Sequence, residues 1–151
     1  MFSTIRKYSI LVLAPLLLGA SLTALAQVSA RDCPQPRFTG KAPDDFYNRK
    51  NPFGATNPDP RGSEAIYLGN AGSVNCAICH GRKGDGRGDL SKMYDPPPRN
   101  FACAQTVNGV PDGQLFWIIR FGSPGTSMPP HSSLSDDQVW QLVLHLRTLA
   151  K

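Results

Sequence analysis

One five-residue motif constrains this chain more than any other feature: Cys76-Ala77-Ile78-Cys79-His80, the pattern C-x-x-C-H. Two thiols three positions apart lie on the same side of one helical turn, and a histidine follows directly. The chain has only four cysteines, so half of them fall within this motif. The spacing is typical of covalent c-type haem attachment, in which the thiols add to the two vinyl groups of a porphyrin and the imidazole binds the iron.

Two other kinds of site use closely spaced cysteines, and each needs a context that this sequence lacks. A thioredoxin-type redox pair is expected within a βαβ pattern, and no segment alternates well enough to be a strand. A structural zinc site needs a second pair of soft ligands, whereas Cys33 and Cys103 are single and distant. The expected cofactor is therefore one covalently bound haem c with its iron.

The second iron ligand decides the chemistry of such a haem. Met128 lies in the loop GSPGTSMPP, where the following prolines stiffen the backbone, and it is the expected ligand. Met93 lies close after the motif and is assigned to packing, while His131 is a rival ligand and His145 is given a structural role. His80 and Met128 together fill both axial positions, which favours one-electron transfer over catalysis.

The amino terminus has the pattern of a secretory signal peptide. A short basic region precedes the apolar run from Ile10 to Ala26, and Ala24-Leu25-Ala26 provides a small-x-small cleavage signal. Cleavage is expected after Ala26, with Ala30 as a second site and an uncleaved membrane anchor as the alternative. The sequence therefore predicts export to the periplasm, without stable membrane insertion after cleavage.

The charge balance indicates the type of partner. All eleven acidic and fourteen of the sixteen basic residues follow the signal, so the net charge falls from +5 to +3 on cleavage. This is not the basic excess of a nucleic-acid-binding protein. Arg82, Lys83 and Arg87 follow the haem motif directly. They predict a positive rim that attracts an acidic redox partner, with an ordinary solvated loop as the alternative.

The rest of the chain divides by composition into two regions. Residues 27–58 are rich in proline and show neither helical nor strand periodicity, which predicts an extended arm that lies on the domain or remains partly mobile. Residues 59–151 form the predicted domain. The expected fold is all-α, with three to five short helices around one covalently bound haem.

The sequence predicts four helical segments in that domain, three of them from capping signals. The first has Asp59 as N-cap and stops at Gly69, and a single turn is expected near Leu90 to Tyr94. The third has Asp112 as N-cap and stops at Gly122. The last begins with a capping box of Ser135 and Gln138 and continues with apolar residues at helical spacing.

Smaller features complete the expected haem environment. A backbone carbonyl in Pro96-Pro97-Pro98 is expected to accept the second N–H of His80, and Arg99 and Asn100 could meet a haem propionate. In an oxidising compartment Cys33 and Cys103 are expected to form a disulfide, with free thiols or an intermolecular bridge as alternatives. Four aromatic residues are expected to pack on the haem, namely Phe101, Phe116, Trp117 and Phe121.

The order of helix, C-x-x-C-H-G, glycine-rich loop, prolines, helix, M-P loop and terminal helix resembles class I monohaem cytochromes c, over about residues 59–151. The stretch DGQLFWIIRFGSPGTSMP is similar to small bacterial periplasmic members. Some of those accept electrons from quinoprotein alcohol dehydrogenases, and others supply terminal oxidases or reductases. Gly62, Tyr67 and Trp140 look like the family positions where the first and last helices cross.

The expected function is a periplasmic electron carrier, not an enzyme. It would move electrons from a dehydrogenase or membrane complex to a terminal oxidase or reductase. Two alternatives stay open. One is a peroxidase-like haem enzyme or gas sensor whose sixth coordination site opens, and the other is a haem subunit of a larger redox complex.

Overall fold

The computed structural model of the chain describes residues 32–36, 39–72 and 74–151. The predicted signal peptide and its two cleavage sites lie outside these residues. Within them the chain forms six α-helices and one 3-10 turn, and no strand, so the all-α prediction is confirmed. The helices are α1 (Asp44–Tyr47), α2 (Pro60–Tyr67), α3 (Ala77–His80), α4 (Ala104–Val107), α5 (Asp112–Phe121) and α6 (Asp136–Leu149), and the 3-10 turn is Ser91–Met93. No helix in the described part is both long and apolar enough to cross a membrane.

The first and last long helices begin where their capping residues predicted. The carboxylate of Asp59 accepts the backbone N–H of Gly62 at 2.9 Å, which satisfies a free donor at the start of α2. At α6 the side chains of Ser135 and Gln138 each accept the other residue's backbone N–H, forming the predicted capping box. Local sequence therefore determines both helix starts.

The start of α5 differs from the prediction in one respect. Pro111 is its N-cap and Asp112 is its first residue, without a side-chain cap. The Asp112 carboxylate instead accepts from the guanidinium of Arg147 on α6, at 2.6 Å from Nη2 and 3.2 Å from Nε. The guanidinium offers two charged N–H donors, whereas in a capping bond only the carboxylate is charged, so the tertiary contact takes the carboxylate.

The core lies where α6 packs against α2 and α5. Phe116 of α5 stacks on Trp140 of α6 with ring centroids 4.3 Å apart. The small buried residue of α2 is Ser63, which is fully buried. Asn57 donates both to the Ser63 hydroxyl and to the carbonyl of Gln141 on α6. Asn57 thus links α2 and α6 through hydrogen bonds to both helices.

The proline-rich arm lies on the domain. Its one-turn helix α1 packs against α5, with the rings of Phe46 and Phe116 stacked 6.3 Å apart. Further along the arm, Asn51 donates its side-chain N–H to the carbonyl of Trp140 at 2.9 Å. The arm is anchored by side chains scattered along an irregular backbone, which explains why it shows no periodicity in sequence.

Candidate haem site

The motif forms the single-turn helix α3. Cys76 is its N-cap, and Cys79 and His80 lie within it. Three backbone N–H groups of the following glycine-rich loop cap this turn: Gly86 donates to the carbonyl of His80, Gly88 to Cys79 and Leu90 to Ile78, at 2.8 to 3.0 Å. A Cβ atom at Gly88 would lie 2.3 Å from the Ile78 carbonyl oxygen. The glycines therefore serve to bring backbone close enough to satisfy the carbonyls of the motif helix.

A buried tyrosine fixes the end of the motif. The hydroxyl of Tyr67, which is 1% exposed, donates to the carbonyl of Gly81 at 2.8 Å. Gly81 follows His80 and has φ of 80°, a conformation that favours glycine and ends the helical turn. Tyr67, the aromatic residue at the end of α2, thus stabilises the end of the motif by a direct hydrogen bond.

His80 is buried and held by a backbone acceptor. Its Nδ1 lies 3.0 Å from the carbonyl oxygen of Arg99, and its ring stacks on Phe101 with centroids 4.6 Å apart. Burial lowers the pKa of the imidazole to about 4. A neutral imidazole whose Nδ1 donates to a carbonyl keeps Nε2 as the nitrogen available to a metal.

The acceptor is therefore the residue after the proline run, and the expectation of a carbonyl within Pro96-Pro97-Pro98 was wrong. The carbonyl of Pro98 is used elsewhere, since it accepts from the side-chain amide of Gln35 at 3.2 Å. Nothing in the local sequence distinguishes these neighbouring carbonyls, because the choice depends on contacts with the distant arm.

Cys76 and Cys79 are both free thiols in the structure. Burial raises the pKa of the Cys76 thiol to about 11, whereas a redox-active pair depends on a lowered thiol pKa. Among the described residues, no group of three or more His, Cys, Asp or Glu side chains could hold a metal ion. The environment of Cys76 therefore speaks against a thioredoxin-type pair.

The predicted site residues line one cavity of about 580 Å³. Cys76, Cys79 and His80 come from α3, while Met128 comes from the loop after α5. His131 lines the same cavity, so the structure does not separate the two candidate ligands by location. Met93 does not line it and is 74% exposed, so the packing role assigned to Met93 was wrong.

The aromatic prediction holds for one residue of four. Phe101 lines the cavity, but Phe116, Trp117 and Phe121 do not. Phe116 lies in the core against Trp140, and Phe121 is 50% exposed and contacts Phe46 edge-on. The helices contribute apolar wall through Leu115, Ile118 and Ile119 on another face of α5 and through Leu146 of α6.

The amino-terminal arm contributes part of the cavity wall. Cys33 and Cys103 form the expected disulfide, with Cα atoms 5.7 Å apart, and Gln35 and Thr39 line the cavity. The guanidinium of Arg99 donates to three backbone carbonyls, those of Gln35, Pro36 and Thr106, at 2.8 to 3.2 Å. The bonds to Gln35 and Pro36 anchor the arm, a role that the sequence did not suggest for Arg99.

The set of groups around the cavity fits haem c. The walls are largely aliphatic, which suits a porphyrin ring, and two free thiols lie beside an imidazole with one nitrogen already bonded. A thioether, from Met128, lies in the same cavity. Each chemical requirement of a covalently attached haem is therefore met by a residue in place.

The sequence profile of the cytochrome c family matches residues 64–150. The chain belongs to the cytochrome c family, and its cofactor is covalently bound haem c with iron. Its general role is that of a haem-based electron carrier, and the class I monohaem type inferred from the motif order is confirmed.

Solved structures of c-type cytochromes are similar to this chain. A chain of the Kuenenia stuttgartiensis reducing HAO-like protein complex Kustc0457/Kustc0458 is 25% identical with a TM-score of 0.54, over 64% of this chain and 46% of that one. The KustC0563 c-type cytochrome is 28% identical with a TM-score of 0.48, over 59% and 98%. Cytochrome cL from Hyphomicrobium denitrificans is 25% identical with a TM-score of 0.43, over 74% and 65%. This chain thus spans about half the length of the first of these, and no curated protein matches it.

Proposed function

We propose that this protein is a periplasmic one-electron carrier whose haem iron is bound by His80 and Met128. It would receive electrons from a periplasmic dehydrogenase or a membrane complex and deliver them to a terminal oxidase or reductase. The observation that carries the proposal is the convergence of these two side chains on one cavity from separate segments, together with the attachment thiols.

The protein groups support electron transfer in distinct ways. Haem c bound here supplies a one-electron couple at its iron. Cys76 and Cys79 anchor the ring covalently, and the Arg99 carbonyl fixes the His80 imidazole. The Met128 loop is held at both ends, because Ser123 donates its N–H to the Met128 carbonyl and Met128 donates its own to the Thr126 hydroxyl. A soft thioether held in this way favours ferrous iron and leaves no open position for a substrate.

The first experiment is a set of visible absorption spectra of the exported protein, oxidised, reduced, and reduced with carbon monoxide. We expect a ferric iron–sulfur charge-transfer band and ferrous bands that carbon monoxide does not change. Met128→Ala should abolish the band and admit carbon monoxide, whereas the matched control Met93→Ala should do neither. Retention of the band in Met128→Ala would refute this ligation, and ready carbon monoxide binding by the unmodified protein would favour the haem enzyme or gas sensor.

His131→Ala separates the rival ligand. Because both side chains line the cavity, a protein with His131–iron ligation would lose its low-spin spectrum in this variant and keep it in Met128→Ala. We expect the opposite pattern.

The docking surface proposed for the redox partner surrounds Ile78. This residue lines the cavity and is 37% exposed, so the cavity reaches the surface beside it. The nearby side chains of Arg82, Lys83 and Arg87 are exposed, and so is Lys92. Four bases against Asp85 and Asp89 give this stretch a net charge of +2, which supports steering of an acidic partner.

Charge reversal tests this surface. Arg82→Glu with Lys83→Glu should slow reduction by the partner and flatten its dependence on salt, since steering is screened by ions. Lys50→Glu is the control. It also replaces an exposed basic residue by an acidic one, but in the arm rather than next to the motif in sequence. Equal effects of the two changes, or none, would contradict the docking surface.

A second candidate is a haem subunit held within a larger redox complex. It is favoured by the similarity to a chain of a reducing HAO-like protein complex, of which this chain covers 46%. Size-exclusion chromatography of the protein from its native periplasm distinguishes the two, because a free carrier elutes at the size of a small monomer.

A further inference from the structure

The amino-terminal arm reaches the backbone segment that holds the axial histidine. Gln35 is 4% exposed although it belongs to the irregular arm. Its carboxamide makes two hydrogen bonds: Oε1 accepts the backbone N–H of Asn100 at 2.9 Å, and Nε2 donates to the Pro98 carbonyl at 3.2 Å. The two bonds lie on either side of Arg99, whose carbonyl accepts from His80.

One peptide group connects Gln35 with His80. The carbonyl of Arg99 and the N–H of Asn100 belong to the same planar trans unit, in which the two groups point in opposite directions. Gln35 holds this unit at its N–H, and the His80 imidazole holds it at its carbonyl oxygen at 3.0 Å. A rotation of the peptide that broke one bond would therefore also misalign the other.

Gln35 is itself fixed in place. Its backbone N–H donates to the Thr106 hydroxyl at 2.9 Å, and its carbonyl accepts from the Arg99 guanidinium at 3.0 Å. The disulfide between Cys33 and Cys103 ties the chain two residues earlier. Gln35 thus presents its carboxamide to the peptide from a restrained position.

We propose that Gln35 is a positioning residue for the haem: through the Arg99–Asn100 peptide it sets the orientation and strength of the acceptor for His80. The inference rests on the proposed ligation of iron by His80. It gives the arm a role in setting the reduction potential of the iron, in addition to forming part of the cavity wall. The arm would then be part of the electron-transfer site.

The direction of the effect follows from polarisation along the chain of hydrogen bonds. An amide whose N–H is already donating has a more electron-rich carbonyl, so hydrogen bonds in series strengthen one another. A stronger acceptor at Nδ1 makes the imidazole a more basic ligand, which favours ferric iron and lowers the reduction potential. Loss of the Gln35 carboxamide should therefore raise the potential.

The test compares Gln35→Leu with Thr106→Val in the haem-loaded protein. The second variant removes one hydrogen bond from the same arm residue but leaves the carboxamide on the peptide. In the ferrous protein, the Nδ1–H proton of His80 is followed by nuclear magnetic resonance, and the potential is measured by redox titration. We expect Gln35→Leu to exchange this proton about tenfold faster, the equivalent of roughly one lost hydrogen bond, and to have a higher potential than the unmodified protein. Thr106→Val should change both far less, because the carboxamide keeps its two bonds to the Pro98 carbonyl and the Asn100 N–H.

Each result has a distinct meaning. Equal proton exchange and potential in the two variants would overturn the proposal while leaving the proposed function intact. Absence of a ring-current-shifted His80 proton from the unmodified protein would overturn both, since it would show that His80 does not bind the iron.

The unmodified protein offers a second test that does not depend on the folding of a variant. Reduction of the Cys33–Cys103 disulfide in the ferrous state loosens the arm, and the N–H of Asn100 should then exchange faster. The His80 proton should accelerate in parallel, because both groups are held through one peptide. Acceleration of the Asn100 proton alone would overturn the proposal.

Discussion

Removal of the hydroxyl of Tyr67 should weaken the fold at the haem motif. In the structure this hydroxyl donates to the carbonyl of Gly81 at 2.8 Å, with the tyrosine 1% exposed. The substitution Tyr67→Phe keeps the ring and its packing against His145, whose ring centroid lies 5.0 Å away. It leaves the buried Gly81 carbonyl with one partner, the backbone N–H of Gly84 at 3.0 Å. The change therefore isolates one hydrogen bond between α2 and the residue that follows His80.

The expected magnitude is that of one hydrogen bond, because the Gly81 carbonyl keeps its bond from the backbone N–H of Gly84 at 3.0 Å. A typical intramolecular hydrogen bond contributes about 1 kcal/mol net, so we expect the free energy of unfolding to fall by about 1 kcal/mol. For a domain of this size, each kcal/mol corresponds to roughly 3 to 4 °C in Tm. Thermal unfolding of the haem-loaded protein, followed by circular dichroism and haem absorption, should thus show a Tm lower by roughly 3 to 4 °C.

Tyr47→Phe is the matched control for this measurement. Tyr47 is only partly buried, and its ring contact with Lys41 survives the change. A surface substitution of this kind should alter stability by less than about 0.5 kcal/mol. Equal losses in the two variants, or a loss below about 0.5 kcal/mol for Tyr67→Phe, would refute the assignment of the hydrogen bond. The charge-transfer band should persist in both, since neither residue is a proposed ligand.

Three further predictions concern stability. Burial raises the pKa of Tyr67 above 10.0, so its stabilising contribution is complete below pH 10 and declines as the pH rises towards the folded-state pKa; alkaline unfolding of Tyr67→Phe should lack that decline. Reduction of the Cys33–Cys103 disulfide, which joins residues 70 positions apart, should lower the free energy of unfolding by at most about 4 kcal/mol. Guanidinium unfolding of the ferrous protein with the disulfide intact and with it reduced checks this. An equal free energy of unfolding in the two samples would mean that the bridge does not constrain the unfolded chain. Asp112→Asn should lower the free energy of unfolding by about 1 to 2 kcal/mol, because it weakens the hydrogen bonds from Arg147. An equally large loss when Asp112→Asn is added to Arg147→Met would contradict that pairing.

The short-range features of this protein could be read from its sequence. The C-x-x-C-H spacing predicts haem attachment because both thiols and the imidazole come from one five-residue stretch of the chain. The caps of α2 and α6 were predicted because Asp59 and Ser135 each accept an N–H three residues away. These interactions depend on little beyond the local backbone, so a local pattern suffices to find them.

Predictions failed where a side chain had a choice of distant partners. Asp112 could have capped its helix, but Arg147 lies within reach in the folded chain and binds it. Phe121 belongs to an apolar stretch that suggested contact with the haem, yet its side of α5 faces the arm, and the ring is half exposed. Which face of a helix meets the cavity is set by packing against other helices, and the sequence of α5 alone does not contain that information.

The sequence by itself determined the class of cofactor, and it predicts Cys76 and Cys79 as attachment residues and His80 and Met128 as axial ligands, because the spacing of the motif along the chain encodes the chemistry. The tertiary structure decided how the site is supported. The Arg99 carbonyl, rather than a proline carbonyl, accepts from His80, and Gln35 holds that peptide from 64 and 65 positions earlier in the chain. Hydrogen bonds across such separations leave no periodic trace in sequence, since they form only after the arm has folded onto the domain.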